Sequence, residues 1–295
     1  MNYPVRVLCR VMRVSRSCFY EYLKRLGRED ARRKSAADRV RACFWFHLRR
    51  YGSRRISHDL KMGRFLVRRL MREMNLVAIQ PRRFKPRTTD SDHDNLISPN
   101  LLQDAPLPLT PGEQVVGDIT YLPLIAGGFV YLATFQDRLT KRLVGWAVAD
   151  SLEAKGLVVK ALQMALRRGL IKRGAIVHTD RGSQYVSNAY RSLLKRCRLK
   201  QSMSGKGNCY DNAQAESFFS RFKAELVDRE TLEPIRAFRD LAHARQEVFS
   251  YIDGYYNRVR LHSSIDYMSP MEFEEELKTK RERRSTCQTF VSVFS

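Results

Sequence analysis

Acidic side chains are scarce in this chain. The 295 residues hold 31 Asp and Glu against 54 Lys and Arg, a formal net charge of +23, and such an excess repels itself unless a polyanion neutralises it. Long apolar runs are missing as well: none approaches the roughly 20 residues of a membrane span, so no membrane partner is expected. The opening MNYPVRVLCRVMR is interrupted by charge too early for the apolar core of a secretion signal. The six cysteines form no CxxC pair and no regular framework, which excludes a disulfide scaffold and fits a reducing cytoplasm. Cys43 and His47 are four apart, but no second pair at ligand spacing accompanies them, and no zinc module is predicted.

The basic charge is concentrated. Residues 1–90 carry 25 Lys and Arg against 7 Asp and Glu, a net +18 that leaves only +5 for the rest. Nucleic acid phosphate is the matching partner, with an affinity that falls steeply with salt; a basic protein of ribosome or membrane-surface type is the alternative. Within 1–80, the segment PVRVLCRVMRVSRSCFYEYLKR reads as two short helices around a turn at Val14-Ser15, with Ser15 as N-cap. In that helix-turn-helix reading, Arg16 and Ser17 stand where a recognition helix meets DNA. From residue 81 to 112 periodicity fails and prolines cluster (Pro81, Pro86, Pro99, Pro106, Pro108, Pro111), which predicts an extended linker.

From 113 to 230 the pattern changes to alternating strands and helices. VVGDITYLPL, FVYLATFQDR and RLVGWAVAD are joined by short turns and predict an antiparallel meander. A helix in EAKGLVVKALQMALRRG follows, then the strand AIVHTD, a helix around NAYRSLLKRC, a short strand QSMS and a helix from Asp211. Asp118 lies in the first strand and Asp180 ends the fourth, 61 residues intervening; Glu216 follows after 35 more. On the last helix Ala215, Phe218, Phe222 and Leu226 form an apolar stripe, leaving Asn212, Glu216 and Lys223 on another face. Three carboxylates converging in this way can bridge two divalent cations about 3.5–4 Å apart, the arrangement used for phosphodiester chemistry without a covalent protein intermediate. Asn208 and Asn212 are candidates for phosphate or base contacts. Asp137 is assigned to a local ion pair with Arg138, and His178 either contacts substrate or packs in the core.

Residues 231–277 read as a helical extension. There Tyr255, Tyr256, Arg258, Arg260 and His262 mix aromatic and basic groups, as nucleic-acid surfaces do; packing of the tyrosines beneath the sheet is the other reading. Residues 278–295, beginning KTKRERR, are expected to be a disordered basic tail.

The D(61)D(35)E spacing with Lys223 seven residues after the Glu, together with GDITYL, YLATFQDRLTKRLVGWA, HTDRGSQY, SMSGKGNCYDNAQAESFF and YIDGYYNRVRLHSSIDYMSPMEFE, resembles the second-frame (OrfB) transposases of bacterial insertion sequences. The acidic signature also resembles that of retroviral integrases. The resemblance implies a ribonuclease-H-like mixed sheet flanked by helices, preceded by an all-α helix-turn-helix region. It further implies metal-dependent cleavage and strand transfer of element ends by Asp118, Asp180 and Glu216 with two Mg²⁺ (or Mn²⁺) ions, and Lys223 on DNA. Terminal repeats and target DNA are the implied substrates. The implied assembly is a homo-oligomer on DNA, with a first-frame (OrfA) product as fusion or partner. A second helix-turn-helix-like unit is implied from YGSRRI. There the chain departs from the family, lacking about five residues between Leu60 and Arg64; QVVGD and GGFVYLA also replace the usual QVW and GW words. A decayed copy that only binds DNA, or a structure-specific nuclease on the same fold, are the competing functions.

Overall fold

The computed structural model describes residues 3–80, 97–103, 105–205, 213–228 and 230–293, the side chains of 26–30 and 284–293 excepted. The chain divides into two compact units, Met1–Gln80 and Pro81–Ser295.

The first unit is all helical. Helix α1 (Val5–Val11) is followed by α2 (Arg16–Phe46), whose N-cap Ser15 accepts a hydrogen bond from Cys18 N at 3.1 Å. The sequence predicts a short second helix, but α2 runs for 31 residues, because Arg, Lys, Ala, Leu and Glu dominate its middle and no proline interrupts it. The predicted apolar face of α1 is not buried: Val7, Leu8, Val11 and Met12 are exposed, and Cys9 alone is covered. The core lies further on, where Val40, Phe44, Tyr51, Ile56, Val67 and Leu70 are almost fully buried. Helices α3 (Ser53–Asp59) and α4 (Arg64–Glu73) are joined by the tight turn Leu60–Gly63, so the shortened connection still closes a helix-turn-helix. Arg33 of α2 meets Glu73 of α4 at 2.5 Å.

The second unit is built on a five-stranded sheet in the order β3-β2-β1-β4-β5. Strands β1 (Gln114–Pro123), β2 (Phe129–Asp137) and β3 (Leu143–Ala149) form the antiparallel meander; β4 (Ile176–Thr179) pairs parallel with β1, and β5 (Lys200–Met203) parallel with β4. Alternation along β2 divides its residues between two cores. Ala133 and Phe135 join Val158, Leu162 and Ala165 of α5 (Val158–Arg167) and Tyr190, Leu193 and Leu194 of α7 (Asn188–Arg196). Val130 and Leu132 join Phe218, Phe219 and Phe222 of α8 (Ala213–Glu225) and Val248 of α9 (Leu241–Phe249). A short helix α6 (Ser183–Val186) follows β4. Both faces are covered, as a mixed sheet with strands parallel at its centre requires.

Close contact between α5 and the sheet depends on Gly145, where a Cβ would stand 2.2 Å from Ala161 O and 2.9 Å from Ala165 Cβ. Gly145→Ala must push the helix off the sheet and is expected to cost about 1–3 kcal/mol, read as a lower denaturation midpoint with an unchanged denaturant slope.

Two expectations are corrected here. Residues 97–103 are not a free linker: Leu101 N donates to Ser202 Oγ at 2.8 Å, Ser98 Oγ to Gln201 Oε1 at 3.1 Å, and Leu102 is buried with Val116 and Ala215. This segment satisfies polar groups along β5, which would otherwise be an open sheet edge. Residues 81–96 lie outside the described residues. Nor is the tail disordered from 278, since α10 spans Pro270–Val293. Ion pairs one turn apart, Lys278 with Glu274 at 3.3 Å and Lys280 with Glu276 at 2.5 Å, add to the helix propensity of its Glu, Lys, Arg and Leu residues. Between α9 and α10 the chain makes a π-helical stretch, Ser250–Tyr256, and a 3-10 turn, Ser263–Ile265.

Candidate active site

Strand register brings the first two carboxylates together. In the parallel β1–β4 pair, Gln114 faces Ile176, Val115 faces Val177 and Val116 faces His178. Val116 and His178 are the last pair of that ladder; the same offset of 62 residues, extended two residues further, would set Asp118 opposite Asp180, which follows directly on β4. Alternation puts Asp118 on the face of Val116, which packs with Ala215 of α8. Glu216 is the next residue, in the first turn of that helix. Gly117 supports the approach from behind: a Cβ there would meet the Phe135 ring at 2.5 Å.

Helix α8 is held in place by contacts absent from any local pattern. Gln214 donates to Gln136 Oε1 and to Asp137 O, both at 3.1 Å, and accepts from Lys141 Nζ at 2.9 Å; Gln136 in turn donates to Tyr256 Oη at 2.8 Å. Phe218, Phe219 and Phe222 are buried on the sheet side, while Glu216 and Lys223 stay exposed.

The carboxylates sense one another. Burial, then the charge of Asp180 and then that of Glu216, push the Asp118 carboxyl up to about 8, against the opposing Ile119 N–H (2.8 Å) and Lys223 charge. Asp180 is raised by burial, in opposition to the hydrogen bond it accepts from Gly182 N at 3.0 Å. Burial lowers Lys223, and Asp118 pulls it back up. A group whose folded pKa is raised favours folding below its unfolded value, near 3.8 here, and loses that contribution as pH rises through the folded value. Metal-free protein therefore loses stability on this account between about pH 4 and pH 8. Asp118→Asn is expected to raise its stability by as much as about 5 kcal/mol at the alkaline end and by nothing at the acid end; thermal melts in chelator across that range measure the difference.

The remaining predicted site residues divide. His178 is fully buried, its ring nitrogens 2.8 Å from Ser202 Oγ and 3.2 Å from Ser204 Oγ, so it packs β4 on β5. Asp137 makes no predicted ion pair with Arg138; its carboxylate accepts from Gly112 N and Thr140 N, each at 2.7 Å, and from Thr140 Oγ1 at 2.9 Å. Arg260 is also corrected: its guanidinium is buried and grips Glu225 through Nε and Nη2, both at 2.6 Å. A guanidinium buried to 1% exposure and forked onto a carboxylate is out of reach of a phosphate. Tyr256 is buried beside it, Tyr255 is half-buried, and His262 is half-buried with Nε2 3.1 Å from Arg260 Nη1. Arg258, Arg16 and Ser17 are exposed. Asn208 and Asn212 lie outside the described residues. Sequence reasoning passed over Tyr185, five residues after Asp180, whose hydroxyl is buried, feels the charges of Asp180 and Asp118, and has no hydrogen-bond partner among the described residues.

A mixed sheet that sets acidic residues on adjacent central strands against a third on a packed helix defines an integrase-type catalytic core, and comparison with known families agrees. Residues 108–209 and 197–270 match two family models described as integrase core domain, and 31–84 match an HTH-like domain. The chain is 37% identical over 283 residues to the transposase InsF of insertion sequence IS3A from Escherichia coli K12, covering 93% of this chain and 95% of that protein. It is 35% identical over 257 residues to the transposase of element IS904 from Lactococcus lactis, covering 85% and 98%. The chain belongs to the IS3-type insertion-sequence transposase family and is a DNA transposase. No helix among the described residues is long and apolar enough to cross a membrane.

Proposed function

We propose that Asp118, Asp180 and Glu216 are the catalytic carboxylates of this transposase and together hold two divalent cations, Mg²⁺ or Mn²⁺, while it cuts and joins insertion-sequence ends. The supporting observation is that Asp118 feels the charges of both Asp180 and Glu216, as the β1–β4 offset and the place of Glu216 in the first turn of α8 lead one to expect. The donor set fits hard cations, being all oxygen, and the repulsion that raises Asp118 is relieved when positive charge enters. When bound, such ions activate the attacking oxygen and stabilise the leaving 3′-oxygen of an in-line displacement.

The chain's own residues supply position. Asp118 and Asp180 are fixed by strands at the sheet centre and Glu216 by a helix clamped through Gln214, so the site is organised before DNA arrives. Lys223 lies within electrostatic reach of Asp118 and would hold a phosphate of the element end. The reaction exchanges one phosphodiester bond for another: water or a terminal 3′-hydroxyl attacks phosphorus, the 3′-oxygen leaves, and the nucleophile's proton passes to solvent. The basic helical unit would bind terminal repeats as a homo-oligomer on DNA, with a first-frame product as fusion or partner.

The test is cleavage and joining of DNA carrying the host element's ends in Mg²⁺ and in Mn²⁺, with chelator as control. Metal-dependent 3′-end formation and joining would support the assignment. Salt-sensitive binding without chemistry in either metal, for the chain and its first-frame fusion alike, would count against it.

A further inference from the structure

Cys43, His47 and Asp59 come together in the helical unit, far in sequence from the carboxylate site. Cys43 and His47 stand one turn apart at the end of α2, and Asp59 is the last residue of α3. Cys43 Sγ lies 3.1 Å and His47 Nε2 3.4 Å from the same oxygen of Asp59, and all three donor atoms fall within 4.8 Å of one another. Zinc bonds of about 2.3 Å to sulfur and 2.0–2.2 Å to nitrogen and oxygen, set at tetrahedral angles, require ligand atoms about 3.3–3.6 Å apart. The His47–Asp59 separation matches the lower part of that range, and Cys43 Sγ, at 3.1 Å, needs to draw back from the carboxylate by about 0.5 Å to admit an ion.

The surroundings also suit a metal. Cys43 and His47 are buried, whereas the Asp59 side chain is about one-third exposed at 35%, leaving an approach for an ion and its water. The His47 ring stacks on buried Tyr51 with centroids 3.6 Å apart, which fixes the direction of Nε2. A thiolate and a carboxylate together neutralise a dication, and sulfur with nitrogen selects a borderline-soft ion over magnesium.

We propose that Cys43, His47 and Asp59 bind one zinc-class divalent ion, with water as fourth ligand, and so staple the end of α2 to α3. The ion displaces the thiol proton of Cys43 to solvent and takes the place of the thiol–carboxylate hydrogen bond. Helix α3 opens the helix-turn-helix, so loading the site would stiffen the start of that unit, independently of the proposed catalytic cations. Sequence spacing hides the site because the third ligand is an aspartate twelve residues after His47, not a second Cys/His pair.

Cobalt(II) titration of the full-length, reduced, metal-stripped protein is the test, performed in an Asp118→Asn, Asp180→Asn background so that the acidic cluster does not compete. One equivalent producing thiolate-to-cobalt charge transfer and tetrahedral d–d absorption is expected, displaced by zinc. Cys43→Ser should abolish the charge-transfer band, His47→Gln and Asp59→Asn should weaken binding by about 10-fold or more, and Cys18→Ser, at an exposed thiol, should change nothing. Absence of the band in the parent, or its survival in Cys43→Ser, overturns the site. If Cys43→Ser does not fold, alkylation of the parent decides: zinc should slow modification of Cys43 at least tenfold, and equal rates with and without zinc overturn the proposal.

Discussion

Glu216→Gln, Asp118→Asn and Asp180→Asn are each expected to reduce end cleavage and strand transfer at least about 10³-fold, since in the proposed role each gives a charged oxygen to cations that stabilise developing charge. DNA affinity should change by less than about 3-fold, or rise slightly, because on the same proposal most phosphate contacts fall to the basic helical unit and a negative charge has been removed. Gel-shift titration beside single-turnover cleavage measures both. Glu216→Gln is the cleanest of the three, because Glu216 is exposed on α8 and packs in no core, so its loss should leave the melting temperature unaltered. Equal losses of binding and chemistry would remove Glu216 from the catalytic set. Lys223→Ala should behave differently, weakening the bound end and lowering the slope of log affinity against log salt by about 1.

The carboxylate site was legible because its constraints are local. Alternation fixes which way Asp118 points once the strand is recognised, and helical spacing fixes Glu216 relative to the phenylalanine stripe. The antiparallel meander of β1, β2 and β3 followed from the short turns between them, while the mixed sheet that adds β4 and β5 was expected from the resemblance. What was not legible depends on partners distant in sequence. Gln214 looks like any polar residue on a helix until Gln136 and Lys141 are brought to it. The long α2 was concealed by a mixed charge pattern, and residues 98–101 looked like linker because the groups they bond to lie on β5, a hundred residues away.

Arg260 shows most clearly how composition misleads. In a stretch with two tyrosines, another arginine and a histidine it reads as a phosphate ligand, yet it is 1% exposed and bonded twice to Glu225, which also accepts from Tyr251 Oη at 2.9 Å. The Tyr256 ring lies beneath the guanidinium, 5.6 Å from its centre. Burying both charges is costly and their mutual attraction mainly repays that cost, so the pair adds little net stability; breaking it is another matter, because one charge is left buried alone. Arg260→Ala is therefore expected to destabilise the second unit by about 3–5 kcal/mol, seen as a much lower denaturation midpoint. Replacing both partners, Glu225→Met with Arg260→Met, should recover most of that loss, an outcome that a direct DNA contact by Arg260 does not produce. Arg258→Ala provides the contrast. That side chain is exposed, so stability should stay within about 0.5 kcal/mol and any loss should appear in the salt dependence of DNA binding. Glu225 ends the helix whose first turn carries Glu216, so the buried pair anchors the far end of α8 while Gln214 anchors the near one. Partial loss of activity in Arg260→Ala at low temperature, where the protein is still folded, would measure how far that anchor positions Glu216.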